Sequence, residues 1–228
     1  MFEFTYTAAL LAILFAVSAA FLLLRYRSDM LAMALAFELA AGAWWIGANA
    51  GVDVAYAHDM SVFWSGLCFI GGSLILSFFL VFVDTFVTGM RPSHFRMTLY
   101  LLPSVIFSIF AFSEYSISDT VFPPGAPAAI VPGVLYYFYL AFFFASVVYG
   151  FARMIPFYRR TQGKVRYQAA YIILGFSGFF LGLITFNVVL PLFGELRFFN
   201  VGPQFAAIFF AASSFAIFKH QLLDVRIW

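Results

Sequence analysis

Glu38 is the acid placed deepest in apolar sequence, well inside the hydrophobic stretch 30–50. A carboxylate near a bilayer midplane costs roughly 2.5 kcal/mol or more on insertion scales, so it has to face a helix bundle and be paired or protonated. With Gly42, Trp45 and Asn49 it forms an i, i+4, i+7, i+11 series on one helical face. Two roles fit: a ligand-contacting or proton-responsive carboxyl, or a protonated acid bonded to a neighbouring helix. A second polar level is set by Asn49 at the end of that stretch, Thr185 and Asn187 near the end of another, and Gln204 at the start of the last. Trp45, Trp64, Tyr136, Tyr137 and Tyr139 fall at a similar depth. Aromatic walls with a few convergent polar groups suit a pocket for a small apolar or amphipathic ligand. Membrane interfaces also collect Trp and Tyr, and for most of these aromatics that is the plainer explanation. The candidate ligand-binding residues are Glu38, Trp45, Asn49, Asn187 and Gln204.

Other chemistries lack their residues. Retinal attachment needs a lysine amine inside the bundle, and the lysines, Lys164 and Lys219, lie at its edges. Zinc hydrolysis needs clustered His and acidic ligands, whereas His58, His94 and His220 fall in separate connections. The single cysteine, Cys68, permits no intrachain disulfide and reads as a small buried hydrophobe. The expectation is therefore no catalytic residue, no metal and no cofactor in these residues.

The elements that hold such a site follow from composition. The chain is 64% hydrophobic, 22% aromatic and 10% charged, with a mean hydropathy of +0.99, where a soluble domain carries about 25% charged residues. Apolar stretches at 5–24, 30–50, 62–84, 97–113, 131–154, 167–190 and 201–218 are each about long enough to cross a bilayer. The expected fold is an all-α membrane protein, a single domain over 1–228 built as a bundle of seven transmembrane helices.

Basic residues give the orientation. Of the 12 lysines and arginines, only Arg197 falls outside the alternate connections that hold Arg25, Arg27, Arg91, Arg96, Arg153, Arg159, Arg160, Lys164, Arg166, Lys219 and Arg226. The positive-inside rule then puts the N-terminus outside and the C-terminus in the cytoplasm. Glu3, Asp53, Asp59, Glu114, Asp119 and Glu195 take the outer side. The net charge of +2 is thus a topology signal and points to no nucleic acid. Small residues Ser18, Ala19 and Ala20 imitate a signal-peptide end, but no basic segment precedes them, so the first stretch reads as a retained span.

Residues 114–130, with three prolines, read as an external loop. A passive connector is the plainer role, and a lid over an outer cavity the alternative. Asp84, near the cytoplasmic end of its span, suits an ion pair with the basic inner connections or a helix cap. Pro103 is expected to kink its helix. Gly175, Gly178 and Gly182 allow close helix approach, a weak hint of dimerisation.

The last third of the chain is more specific. Arg166-Tyr167-Gln168, Gly175, Asn187, Pro191, Gly202-Pro203 and the exit Phe218-Lys219-His220-Gln221-Leu222-Leu223-Asp224-Val225-Arg226 resemble the N-terminal seven-transmembrane region of bacterial sensor histidine kinases. Trp44, Trp45 and Phe63-Trp64 with Gly71 fit the same family. The resemblance implies a multi-pass protein of the bacterial inner membrane, a sensor that acts as a homodimer. Its last helix would lead into a cytoplasmic kinase or other output protein, with Leu222 to Trp228 carrying the displacement. No phosphoacceptor-histidine segment, ATP-binding domain or cyclase motif is present, and His220 is not read as a phosphoacceptor. Either an output module follows in the native protein, or the chain signals through a partner.

A second reading makes the chain a non-catalytic subunit of a larger membrane complex, its 34 phenylalanines packing against lipid and helices. A transporter is a third, weakened by the odd span count and the lack of repeats. The intact mass of the endogenous polypeptide separates the first two: well above 25.6 kDa, with peptides beyond Trp228, means a fused output domain, and a mass ending there sends the search to a partner.

Overall fold

The computed structural model describes residues 2–55, 58–121, 129–195 and 198–220. Arg197, the stretch 122–128 and the exit segment 221–228, which carry parts of the topology, loop and output readings, lie outside the described residues. Apolar sequence in lipid has to satisfy its backbone internally, and helices do so within one segment. Seven helices carry the fold among the described residues: α1 (Phe2–Arg25), α2 (Met30–Asp53), α3 (His58–Thr88), α4 (His94–Ile109), α5 (Val134–Arg160), α6 (Gly163–Leu183) and α7 (Ala206–His220). Five segments, within α1, α2, α3, α5 and α6 with its continuation to Val189, are long and apolar enough to cross a membrane. The other two apolar helices, His94–Ile109 and Val201–Ala216, are shorter.

Local chemistry sets the ends. Asp29 caps α2, its carboxylate accepting from the amides of Leu31 at 2.8 Å and Ala32 at 3.0 Å, two donors that have no partner inside the helix. Gly89, at φ 68°, ends α3 in the left-handed region that a residue with a Cβ avoids. The expected fourth span reaches 113, but α4 stops at Ile109 because Ser113 and Ser116 hydroxyls both donate to the Phe110 carbonyl, at 2.7 and 2.8 Å. After Leu183 the sixth helix widens into a π-helical segment, Ile184–Val189, then one more turn, Leu190–Leu192. A 3-10 segment, Phe199–Phe205, leads into α7.

Between α4 and α5 the expected loop instead contains a short antiparallel hairpin, β1 (Ile117–Val121) with β2 (Ala129–Pro132). Its base is pinned by the Gly133 amide on the Ser116 carbonyl at 3.1 Å and the Leu135 amide on the Tyr115 carbonyl at 2.7 Å.

α3 is the axis of the bundle. Over its most apolar stretch 72% of residues are buried, against 17% for α5, as expected of a helix hydrophobic all round. Phe79 of α3 meets Phe176 and Phe180 of α6 edge to face, with ring centroids at 4.5 and 5.0 Å, the favoured aromatic geometry. Gly150 of α5 leaves room for that ring, where a Cβ would collide with it. On the α4 side, the Ser77 and Ser104 hydroxyls lie 2.6 Å apart and reach the carbonyls of Tyr100 at 2.5 Å and Ser73 at 2.6 Å. These ties sit beside Pro103, which has no N–H for the carbonyl one turn back. Serine hydroxyls commonly supply the polar contacts that a proline removes from a membrane helix.

The glycine face of α6 is spent inside the chain. A Cβ on Gly175 would touch Ala212, one on Gly178 would press on Ile208, and one on Gly182 would collide with Phe205. Close approach does occur, as the spacing suggested, but with the segment leading through α7, so this face is not open to a second copy.

Asp84 joins three helices at one end of α3. With no exposed surface, it takes the Arg96 guanidinium of α4 at 3.1 Å and the Arg153 guanidinium of α5 at 3.0 Å. Tyr100 donates to the same carboxylate at 3.1 Å and lies 3.0 Å from the Tyr149 hydroxyl. The two arginine side chains keep 50% and 34% of their exposure, so removing the acid costs less than stranding a fully buried charge. Asp84→Asn is expected to lower stability by about 2 kcal/mol, between the surface and buried limits for ion pairs. In that background Arg153→Ala should become nearly neutral. Thermal unfolding in nanodiscs checks both, and strictly additive losses would mean that the groups do not act as one unit.

Candidate ligand-binding cavity

A cavity of about 450 Å³ opens at the other end of α3, within the range that holds small molecules. α2 supplies Trp45 and Asn49, one turn apart on the face that also carries Glu38 and Gly42, and all four are buried. α3 supplies Ser65, Cys68 and Gly72; α5 supplies Tyr136 and Tyr139; the sixth helix supplies Phe180 and Asn187. Ile117, Val121, Ile130 and Pro132 of the hairpin close one side. The two segments that flank the undescribed stretch 122–128 are therefore part of the wall.

Glycine and tryptophan shape the chamber. A Cβ on Gly72 would come within 2.6 Å of the Tyr139 hydroxyl, so the glycine makes room for the phenol. A Cβ on Gly71 would press on Trp44 and on the backbone of Trp45. Trp45 stands edge to face with Phe179, centroids 6.2 Å apart. The Asn49 amide nitrogen donates to the Trp45 carbonyl at 2.8 Å. No charged side chain lines the cavity among the described residues.

Of the five residues proposed from sequence, Trp45, Asn49 and Asn187 meet in this wall. Glu38 does not reach it. It is 3% exposed and borders a separate void of about 10 Å³ with Phe15, Gly42, Ile46 and Phe179, at the limit of a single water. Its Oε2 has no hydrogen-bond partner among the described residues. Trp45 and Ile75 line both spaces and form the partition between them. Gln204 lies in the 3-10 segment and lines neither.

Three wall residues went unassigned from sequence. For Tyr136 and Tyr139 the membrane interface is the plainer reading from sequence, yet they line the cavity, while Tyr137 between them is 62% exposed. The helical offset from Tyr136 to Tyr139 was the available signal, since i and i+3 share a face. Cys68 is half-buried in the wall rather than sunk in the core. Trp64 packs instead against Gly51.

Asn187 ties the wall to the chain's last helix. It sits on the π-helical segment, and its Oδ1 occupies the space where a Cβ on Gly202 would be. Gly202 begins the path into α7, so the cavity wall and the C-terminal helix meet at this contact.

A neutral, mostly apolar chamber thus lies inside a bundle of membrane-type helices. The chain belongs to the family described as the N-terminal seven-transmembrane region of histidine kinase, whose sequence model matches residues 7–226. It is thus a transmembrane protein whose family is the sensor region of histidine kinases. Comparison with curated proteins found no match.

Gly202→Ala should destabilise the bundle by about 1–3 kcal/mol through overpacking against Asn187. The same substitution in an Asn187→Ala background should cost much less, because the colliding amide is gone. Thermal unfolding of the four proteins of this cycle checks it; equal losses in the two backgrounds would show that the contact does not set the packing.

Proposed function

We propose that this region detects a small apolar or amphipathic molecule in the 450 Å³ cavity and passes the event through α7 to a cytoplasmic signalling output. The observation that carries this reading is the shared wall: Asn187 lines the cavity and packs on Gly202 at the entry to the last helix. A ligand that fills the cavity better in one arrangement of α6 than in another shifts the position of α7, and differential affinity is all that such a shift requires. Catalysis is assigned to the output module, and the region itself binds and relays.

In this reading the two shorter helices complete seven crossings. α4 is extended by the turns after Ile109, and the 3-10 segment adds length before α7 at about 2 Å per residue. The basic connections then face the cytoplasm, so the cavity lies toward the outer side and the Asp84 junction toward the inner side. Each protomer of a dimeric kinase would contribute one such bundle.

The test uses the native kinase that contains or partners this region, reconstituted in liposomes and titrated with decanol as the probe. Autophosphorylation is expected to respond with a saturable midpoint. Asn49→Ala and Asn187→Ala are each expected to move that midpoint about tenfold, the effect of one lost hydrogen bond at its upper range. Glu38→Gln, which alters the partition behind Trp45, is expected to change the response without preventing insertion. An unchanged dose response in all three variants would remove the cavity from the sensing mechanism.

A further inference from the structure

The polar side chains of the cavity gather toward one end, where Val52 and the hairpin also stand. Along α3 the lining passes from Ser65 through Cys68 and Gly72 to Ile75 and Leu76, a rise of about 16 Å from the hydroxyl to the last aliphatic residue. Asn49 and Tyr136 belong to the polar end, and Phe143 and Phe180 join Ile75 and Leu76 at the other. The Gly72 contact with Tyr139 and the Phe79 contacts with Gly150 and Phe180 fix these levels on α5 and α6.

The polar end offers both donors and acceptors, all uncharged. Asn49 is 6% exposed, and its amide nitrogen is committed to the Trp45 carbonyl. That bond uses one of the two N–H donors of the amide, and Oδ1 is the acceptor that Asn49 offers to the cavity. The hydroxyls of Ser65, Tyr136 and Tyr139 make no hydrogen bond with another group among the described residues, and each can donate or accept. A pure hydrocarbon in this space leaves that set unpaired, which is the costly outcome for buried polar groups. A charged headgroup meets no counter-charge and loses its water.

We infer that the cavity selects an uncharged amphiphile, an acyl or alkyl chain ending in a hydroxyl or primary amide, with its headgroup between Asn49 and Tyr139 and its tail toward Phe143 and Phe180. The headgroup donates to Asn49 Oδ1 and accepts from a tyrosine or serine hydroxyl, while the tail replaces lipid contacts with the apolar end. This selectivity rests on the ligand-binding reading given above.

Cys68, the chain's single cysteine, lines the cavity and reports its occupancy. The experiment measures the rate at which N-ethylmaleimide alkylates Cys68 in nanodiscs, against decanol, decanamide, decanoate, decylammonium and decane at matched membrane concentrations. Decanol and decanamide are expected to protect at concentrations about tenfold lower than the other three. Asn49→Ala and Tyr139→Phe should erase that preference while decane protects as before. Equal protection by the ionic compounds or by decane in the unmodified protein overturns the headgroup assignment and leaves the cavity as a binding site. Failure of every compound, decane included, to slow alkylation overturns the ligand-binding reading as well. Because the compound series is decisive in the unmodified protein, a variant that fails to fold does not rescue the assignment.

Discussion

Asp84 is a carboxylate with no exposed surface in a chain that carries few charges, and one end of the bundle is arranged around neutralising it. Two arginines and a tyrosine approach it from α4 and α5 while their outer parts stay in contact with solvent. Long basic side chains do this readily, with an apolar stem along the helix and a charged head at the interface. Without that charge, α4 and α5 would meet α3 at this level through surfaces that pack equally well against lipid. The ion pairs therefore give the three helices a fixed register at one end, and the ladder from Ser77 and Ser104 to Ser73 extends it toward the middle of α3.

At the opposite end of α3 the rule reverses. From Ser65 to Asp84 the helix rises about 28 Å, and over that distance charged ties give way to ring contacts and then to open space. Burial of apolar surface cannot drive helix association in lipid, so shape has to do it. Glycines paired with aromatics, Gly150 with Phe79, Gly182 with Phe205 and Gly51 with Trp64, are how this chain produces complementary shape. Gly72 makes room in the same way for the Tyr139 hydroxyl, and both residues stand in the wall of the chamber. Structural cohesion and the shape of the cavity wall are in this sense two results of one packing style.

Much of the frame was legible because apolar runs of bilayer length leave helices as the only economical answer, and the match over residues 7–226 agrees with that frame. The face from Glu38 to Asn49 was legible through its spacing, and Asp84 through its isolation among apolar residues. Tyr136 and Tyr139 were not, because an interfacial tyrosine and a cavity tyrosine have the same composition signature and differ only in which way the helix is turned. The partition at Trp45 was also hidden, since periodicity shows that Glu38 and Asn49 share a face but not that a ring divides it. The hairpin escaped notice because proline-rich sequence hides short strands. The glycine face announced close approach but could not name its partner, and α7 proved to be that partner.

The π-helical segment Ile184–Val189 has a geometric consequence of its own. Over the same rise it holds one residue more than an α-helix would, and such bulges recur where helices serve a function. Relaxing it to α geometry would have to expel that residue, turning everything beyond it by about 100° relative to the body of α6. Pro191 and the chain beyond it toward Gly202 would swing with that turn. The extra residue thus sits in the chamber wall itself, where Asn187 and Val188 line the cavity, and it sets the angular position at which the chain leaves α6.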